Sequence, residues 1–296
     1  MKIVFVFLFS VEFFLSVNVY SQKVDAKFHF YIRKDSYSDE TPFKNNDLYR
    51  FYRVLGQNGI DPLNQNIVNK QLIKNNLDKL YPDKNAAGIL SIDLENDAFK
   101  NLQRKNFNDN KFNDAVDQFV QLINEIRMIR PNLKIGIYGL PFRTYYTYQN
   151  YWNNNHKLDK VLSLCDFISP SLYILFTDKE KGSSANEKYL RQNLQVALEY
   201  GKRLNKPVIP FIWYMINPGN KLHGGEIIEK QDMLNYISII RNYNIDGTKV
   251  KGVFWWEGSE KGTKKIMKIP RSLSNVDSNK IKDKIIIDYT RPLLYH

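Results

Sequence analysis

The chain of 296 residues has one cysteine, Cys165, so it can form no internal disulfide and must be held together by its core. In "LSLCDFISPSLY" that cysteine reads as a small buried apolar residue, without the partner a catalytic thiol needs. Histidine is scarce too: His29, His156 and His223 stand in unlike contexts without metal-ligand spacing, so they read as surface or structural, and no metal or organic cofactor is expected. No glycine-rich phosphate loop follows any strand-like run, which weakens a dinucleotide-binding reading, and no G-x-S-x-G elbow is present. There is no internal repeat and no Gly/Ser- or Pro-rich linker, so one domain is expected. After the first residues no apolar run is long enough to span a bilayer.

Those first residues, "MKIVFVFLFSVEFFLSVNVYSQ", have a basic start at Lys2, an apolar stretch and small residues at Ser16 and Ser21. Glu12 makes the stretch a poor anchor, so a signal peptide over 1–21 and a single domain over 22–296 are the expectation, with an uncleaved anchor as the alternative. The formal charge is +12, and removal of 1–21 leaves it unchanged because Lys2 and Glu12 go together. An anionic partner follows: an acidic polysaccharide fits an exported monomer, whereas nucleic acid does not, and no membrane contact beyond export is expected. One modest basic cluster, "KGTKKIMKIPR" (261–271), reads as a solvated face.

Strand-like runs at 28–33, 88–95, 134–140, 165–175, 206–215 and 250–257 alternate with amphipathic helical patterns. The runs are near-continuously apolar, as strands covered on both faces are. Among the helices, Val116, Phe119, Val120, Ile123 and Ile126 recur at helical spacing, with Asn113 as the expected cap and Pro131 as the stop; Ser184 is the expected cap of another, running to Lys202 and Arg203. Two further helices are expected over 64–82 and 224–244, while 34–60 is ambiguous. This alternation predicts an α/β fold, a (β/α)8-type, TIM-like barrel, with room for a modified barrel with fewer regular strands.

In such a barrel the chemistry sits at the carboxyl ends of the strands. There the sequence places Asp93 and Glu95 after "GILSI", then Tyr138, Tyr173, Tyr214, and Trp256 followed by Glu257. Alternate strand residues share a face, so Asp93 and Glu95 point together, roughly 7 Å apart at Cα. Two close carboxylates resist double ionisation, and the less solvated one becomes a general acid. A bare D-x-E is also common as ordinary strand-end or capping residues, and any one of the aromatics could simply pack a core. As a set, however, tyrosines and tryptophans at a barrel mouth suit a sugar, whose apolar faces flat rings cover.

These residues resemble the hyaluronidases of glycoside hydrolase family 56. "GILSIDLE" is similar to that family's I-D-x-E strand, "GIYGLP" to its tyrosine-rich segment ending in proline, "SPSLY" to its P-S-x-Y segment and "GVFWWEGSE" to its late tryptophan segment, in the same order over about 86–260. The resemblance implies a modified barrel that hydrolyses a polysaccharide containing N-acetylhexosamine by substrate-assisted, retaining catalysis. It implies Glu95 as the acid and base, Asp93 orienting the substrate's acetamido group, Tyr138, Tyr173 and Tyr214 binding the sugar, and Trp256 flooring the subsite. Positive charge then favours a uronate polymer such as hyaluronan or chondroitin. The chain departs from the family in "NDAFKNLQRKNF", which replaces a tryptophan-rich stretch, in lacking disulfides, and in placing Glu257 after the tryptophans, which leaves either Trp255 or Trp256 for the site. A chitinase-like barrel of family 18 is the alternative, although the earlier acidic residues of its D-G-x-D-x-D-x-E run are missing. Glu257 as nucleophile with Glu95 as acid, and a non-catalytic carbohydrate-binding barrel, complete the readings.

Overall fold

A computed structural model describes residues 28–37, 39–258, 266–268 and 278–294. The leader at 1–21 and most of the 261–271 cluster lie outside the described residues.

Four strands run in succession: β1 (His29–Arg33), β2 (Tyr49–Gly56), β3 (Gly88–Asp93) and β4 (Leu133–Ile137). Later come β5 (Phe211–Ile212), a small antiparallel hairpin of β6 (Asn244–Ile245) and β7 (Thr248–Lys249), and β8 (Gly252–Trp255). The hairpin turns on Asp246 and Gly247, both at positive φ (47° and 80°), the backbone that a two-residue turn matched to strand twist requires. The main sheet is parallel in the order β4-β3-β2-β1-β8-β5.

The two ends of that sheet meet through residues 168–171. Ser169 bridges Tyr138 beyond β4, and Ile168 and Ser171 bridge Val208 and Phe211 on the β5 side, all in parallel. The result is a closed ring of seven staves, a modified (β/α) barrel. The expected long strands over 165–175 and 206–215 shrink to these bridges and to β5 because Pro170, Pro207 and Pro210 have no N–H for a ladder. The ambiguous 34–60 segment holds β2.

Strand parity sorts the side chains. Tyr31, Tyr52, Phe167, Phe211 and Phe254 fill the inside, with ring centroids 4.6–5.9 Å apart in successive contacts around Phe254 and Phe211. Gly136 makes room for this filling, since a Cβ there would lie 2.1 Å from the Phe167 ring. On the other parity Ile32, Ile92, Ile135, Val253 and Trp255 are fully or almost fully buried and face the helical layer. Burying each such side chain stabilises the fold by roughly 1.5–3 kcal/mol.

The helices Lys70–Leu80, Asn110–Ile129, Ser183–Leu204 and Lys230–Asn242 occupy the four expected stretches. Their starts differ from the expected caps. Asp109 rather than Asn113 caps Asn110–Ile129, its carboxylate accepting from the Lys111 N–H, and Gly182 rather than Ser184 precedes Ser183–Leu204. Asp109, just outside the apolar repeat, reaches a free amide first, whereas Gly182 starts its helix with no side-chain cap, its φ of 81° turning the chain into the helix. Cys165 is fully buried with its thiol pushed up to about 12, an inert packing residue.

Candidate active site

The stretch "SIDLEND" is bent by its alternate residues. Ile92 and Leu94 are buried on the helix-facing side, and Asn96, also buried, caps the helix Asp97–Arg104 by accepting from the Phe99 N–H at 3.2 Å. Its amide is anchored in turn by donating to Asp61 Oδ2 at 3.0 Å. With Leu94 and Asn96 buried on the opposite parity from the barrel interior, Asp93 ends β3 half-buried and Glu95 is left exposed on the rim of the mouth.

Both carboxyls are hard to ionise. Burial, and then the charge of Glu95, push Asp93 up to about 7, against the pull of the Arg33 guanidinium. Glu95 faces solvent on one side but is walled closely on the others. That desolvation raises it above the usual carboxylate range, and the Arg143 cation holds it back. The pair therefore has a proton to give near neutrality and one member able to carry charge.

Aromatic rings line the mouth beside them. Tyr138, just past β4, stacks on Trp256, just past β8, at 5.9 Å and 28°. Tyr173 lies 5.9 Å from Tyr138 and 5.4 Å from Trp213. The backbone of Tyr173 is held by two hydroxyls, since Tyr145 and Tyr189 both donate to its carbonyl (3.0 and 3.1 Å) while stacking on each other at 4.6 Å. Its own hydroxyl is buried with no hydrogen-bond partner, as is the Trp213 indole N–H. Unpaired buried donors are costly, and the Trp255 indole N–H in the wall is unpaired too.

Two cations complete the rim. Arg33, at the end of β1, sits over Trp256 (5.8 Å) and donates to the Glu257 carbonyl at 2.9 Å. Arg143 lies over the Tyr173 ring (5.6 Å) and donates to Ser171 Oγ, which Tyr138 Oη reaches at 3.3 Å. A cavity of about 250 Å³ opens among Glu95, Tyr138, Arg143, Tyr145, Trp152 and Ser171.

Of the residues picked from the sequence, Asp93, Glu95, Tyr138, Tyr173 and Trp256 are brought together at the mouth. Tyr214 is not. It points away from the barrel interior, fully buried, with its ring on Trp255 (5.9 Å, 14°) and its hydroxyl 3.2 Å from Glu257 Oε2. Trp213, one residue earlier, takes the inward place. The same parity decides the tryptophan pair: Trp256 lines the mouth, while Trp255 is fully buried in the wall. Glu257 is fully buried beside Tyr214, which removes it as a cleft nucleophile. Arg33 was findable as the residue closing β1, and Trp213 from its alternation with Phe211. Arg143, in a loop after "GLPF", carried no sequence signal.

Among the described residues no cluster of three or more His, Cys, Asp or Glu could hold a metal ion, and no helix is long and apolar enough to cross a membrane. No protein-family model matches the chain, and no curated protein matches it in sequence. Among solved structures it is similar to bee venom hyaluronidase, with a TM-score of 0.63 and 14% identity over 88% of this chain and 97% of that one. A second structure of that enzyme, in complex with a hyaluronic acid tetramer, gives 0.61 at 14% identity over 88% and 96%. At this identity the likeness establishes the barrel fold.

Proposed function

We propose that the chain is an exported glycoside hydrolase that cleaves an N-acetylhexosamine-containing, uronate-bearing polysaccharide such as hyaluronan or chondroitin. The observation that carries this reading is the Asp93–Glu95 pair, both carboxyls raised, at the end of a barrel strand beside the Trp256–Tyr138 platform. The bee venom enzyme of the same fold, crystallised with a hyaluronic acid tetramer, supports the substrate class.

In this reading a sugar ring lies on Trp256 and Tyr138. Docking of the acetamido N–H on Asp93 favours its ionised form, so the proton that Asp93 holds in the free cleft is carried by Glu95 in the complex, and Glu95 gives it to the glycosidic oxygen as the bond to C1 breaks, a step for which a placed general acid contributes roughly 10²–10⁴-fold. The substrate's acetamido carbonyl oxygen attacks C1 from the opposite face, and Asp93 accepts the acetamido N–H and balances the positive charge that develops there. Glu95, now ionised, takes a proton from water as that water attacks C1, so the acetamido oxygen leaves and the anomeric configuration is retained. The Tyr173 hydroxyl finds its missing partner on the bound sugar. Arg33 and Arg143 attract the uronate carboxylates of the flanking units.

Reducing-end release from hyaluronan, chondroitin and a chitin oligomer, by wild type and Glu95→Gln, tests the reading. Release from a uronate polymer that vanishes in the variant supports it. Release from chitin alone overturns the substrate class, and binding without release by wild type overturns the activity.

A further inference from the structure

Beyond the cleft the polypeptide continues into "RTYYTYQNYW", where Tyr146, Tyr148 and Tyr151 are 50%, 70% and 43% exposed within six residues. A water-facing cluster of this kind is unusual for side chains that normally bury most of their area. Nor is it a loose loop. Residues Thr147–Trp152 form a 3₁₀ helix, and the Gln149 side-chain oxygen accepts from the Tyr145 and Tyr146 amides at 2.7 and 3.0 Å. Tyr146 is the extended residue that precedes this helix, whose positions Gln149 and Trp152, three apart, line up on one face. Both of those line the cavity that holds Glu95. Tyr148 then stacks on Tyr146 with centroids 5.5 Å apart and planes 6° apart, which fixes the two exposed rings in one orientation.

We infer that this ledge is an outer binding subsite for the same polysaccharide, holding sugar units several residues along the polymer from the bond beside Glu95. Three features single out a sugar chain as occupant. The ledge is continuous with the cleft through Gln149 and Trp152. Its rings are pre-set in parallel, as apolar pyranose faces require, and ring stacking loses little side-chain freedom when the rings are already ordered. Its remaining surface is amide-bearing, from Gln149 and Asn150, which suits hydroxyl groups. The subsite deepens the proposed function and rests on it for the identity of the polymer, but it makes a separate claim: affinity depends on chain length through these tyrosines.

The test is titration of hyaluronan, chondroitin and chitin oligomers of about four and about twelve sugar units against wild type, Tyr146→Ala/Tyr148→Ala and Tyr148→Trp, with turnover followed in parallel. The expected result is that wild type binds the long oligomer about tenfold more tightly than the short one, and that the double variant loses this difference. Turnover of the short oligomer by the double variant stays the same, and Tyr148→Trp keeps the length preference. Equal length preference in wild type and the double variant overturns the ledge and leaves the glycosidase reading standing if wild type cleaves. A tyrosine-dependent preference without cleavage sustains the ledge and overturns the glycosidase. No polysaccharide binding at all, or capture of a second copy of the chain by the ledge, overturns the subsite.

Discussion

Two carboxylate–aromatic groups in this barrel read alike and behave in opposite ways. At the end of β3, Asp93 and Glu95 face the mouth beside Tyr138 and Trp256; at the end of β8, Glu257 sits with Tyr214 and Trp255. Glu95 and Tyr138 of the first group line a cavity of about 250 Å³, whereas the second group has no exposed carboxyl surface and a hydroxyl–carboxylate contact sealed inside the protein. The difference is one of parity. Positions 254 and 256 point into the barrel, so 255 and 257 point out, and the same shift exchanges Trp213 for Tyr214. A glutamate at a strand end faces the cleft or the scaffold according to which side of the wall it falls on.

The largest expected effect that sharpens this contrast is on turnover. Glu95→Gln removes the proton donor and lowers kcat by roughly 10³-fold, read by reducing-end release, with the thermal midpoint little changed. Asp93→Asn keeps the shape but not the charge, and lowers kcat by roughly 10²-fold.

The same variant has a second readout, in stability. Because the folded protein holds the Asp93 proton to about pH 7, well above the ordinary value of about 3.8, the wild type favours that proton in the native state. Its stability therefore falls as pH rises from about 4 to about 7, where the unfolded chain has already released the proton. Asn carries no such linkage. Thermal unfolding at pH 4.5 and 7.5 is expected to show a smaller loss in Asp93→Asn than in wild type.

Arg143→Met removes the cation that holds Glu95 down. Glu95 then stays protonated to higher pH, so the falling limb of kcat/KM moves upward, while KM for a uronate polymer rises several-fold. The smallest effect belongs to the sealed group. Tyr214→Phe costs about 1 kcal/mol of stability by chemical denaturation and leaves kcat unchanged.

The barrel itself was legible in the alternation of apolar runs and helical repeats, and so was the strand-end set that includes Asp93, Glu95, Tyr138, Tyr173 and Trp256. Legibility ended where proline or charge blurred the pattern. Pro170 and Pro210 interrupt hydrogen bonding in runs that read as long strands. β2, "YRFYRVLG", hides behind Arg50 and Arg53, because its exposed and half-buried positions do not alternate cleanly. Tyr214 was misplaced because the end of a two-residue strand cannot be located from composition, and one residue inverts the face. Arg143 reaches the site from a loop, where no periodicity exists to read.

The most direct test of the central claim sets Glu95→Gln against Glu257→Gln, each measured for both turnover and thermal unfolding. Glu95→Gln is expected to be inactive with a near-native midpoint, and Glu257→Gln to be destabilised yet keep its kcat below the midpoint. A folded Glu257→Gln without activity, or an active Glu95→Gln, would contradict the claim.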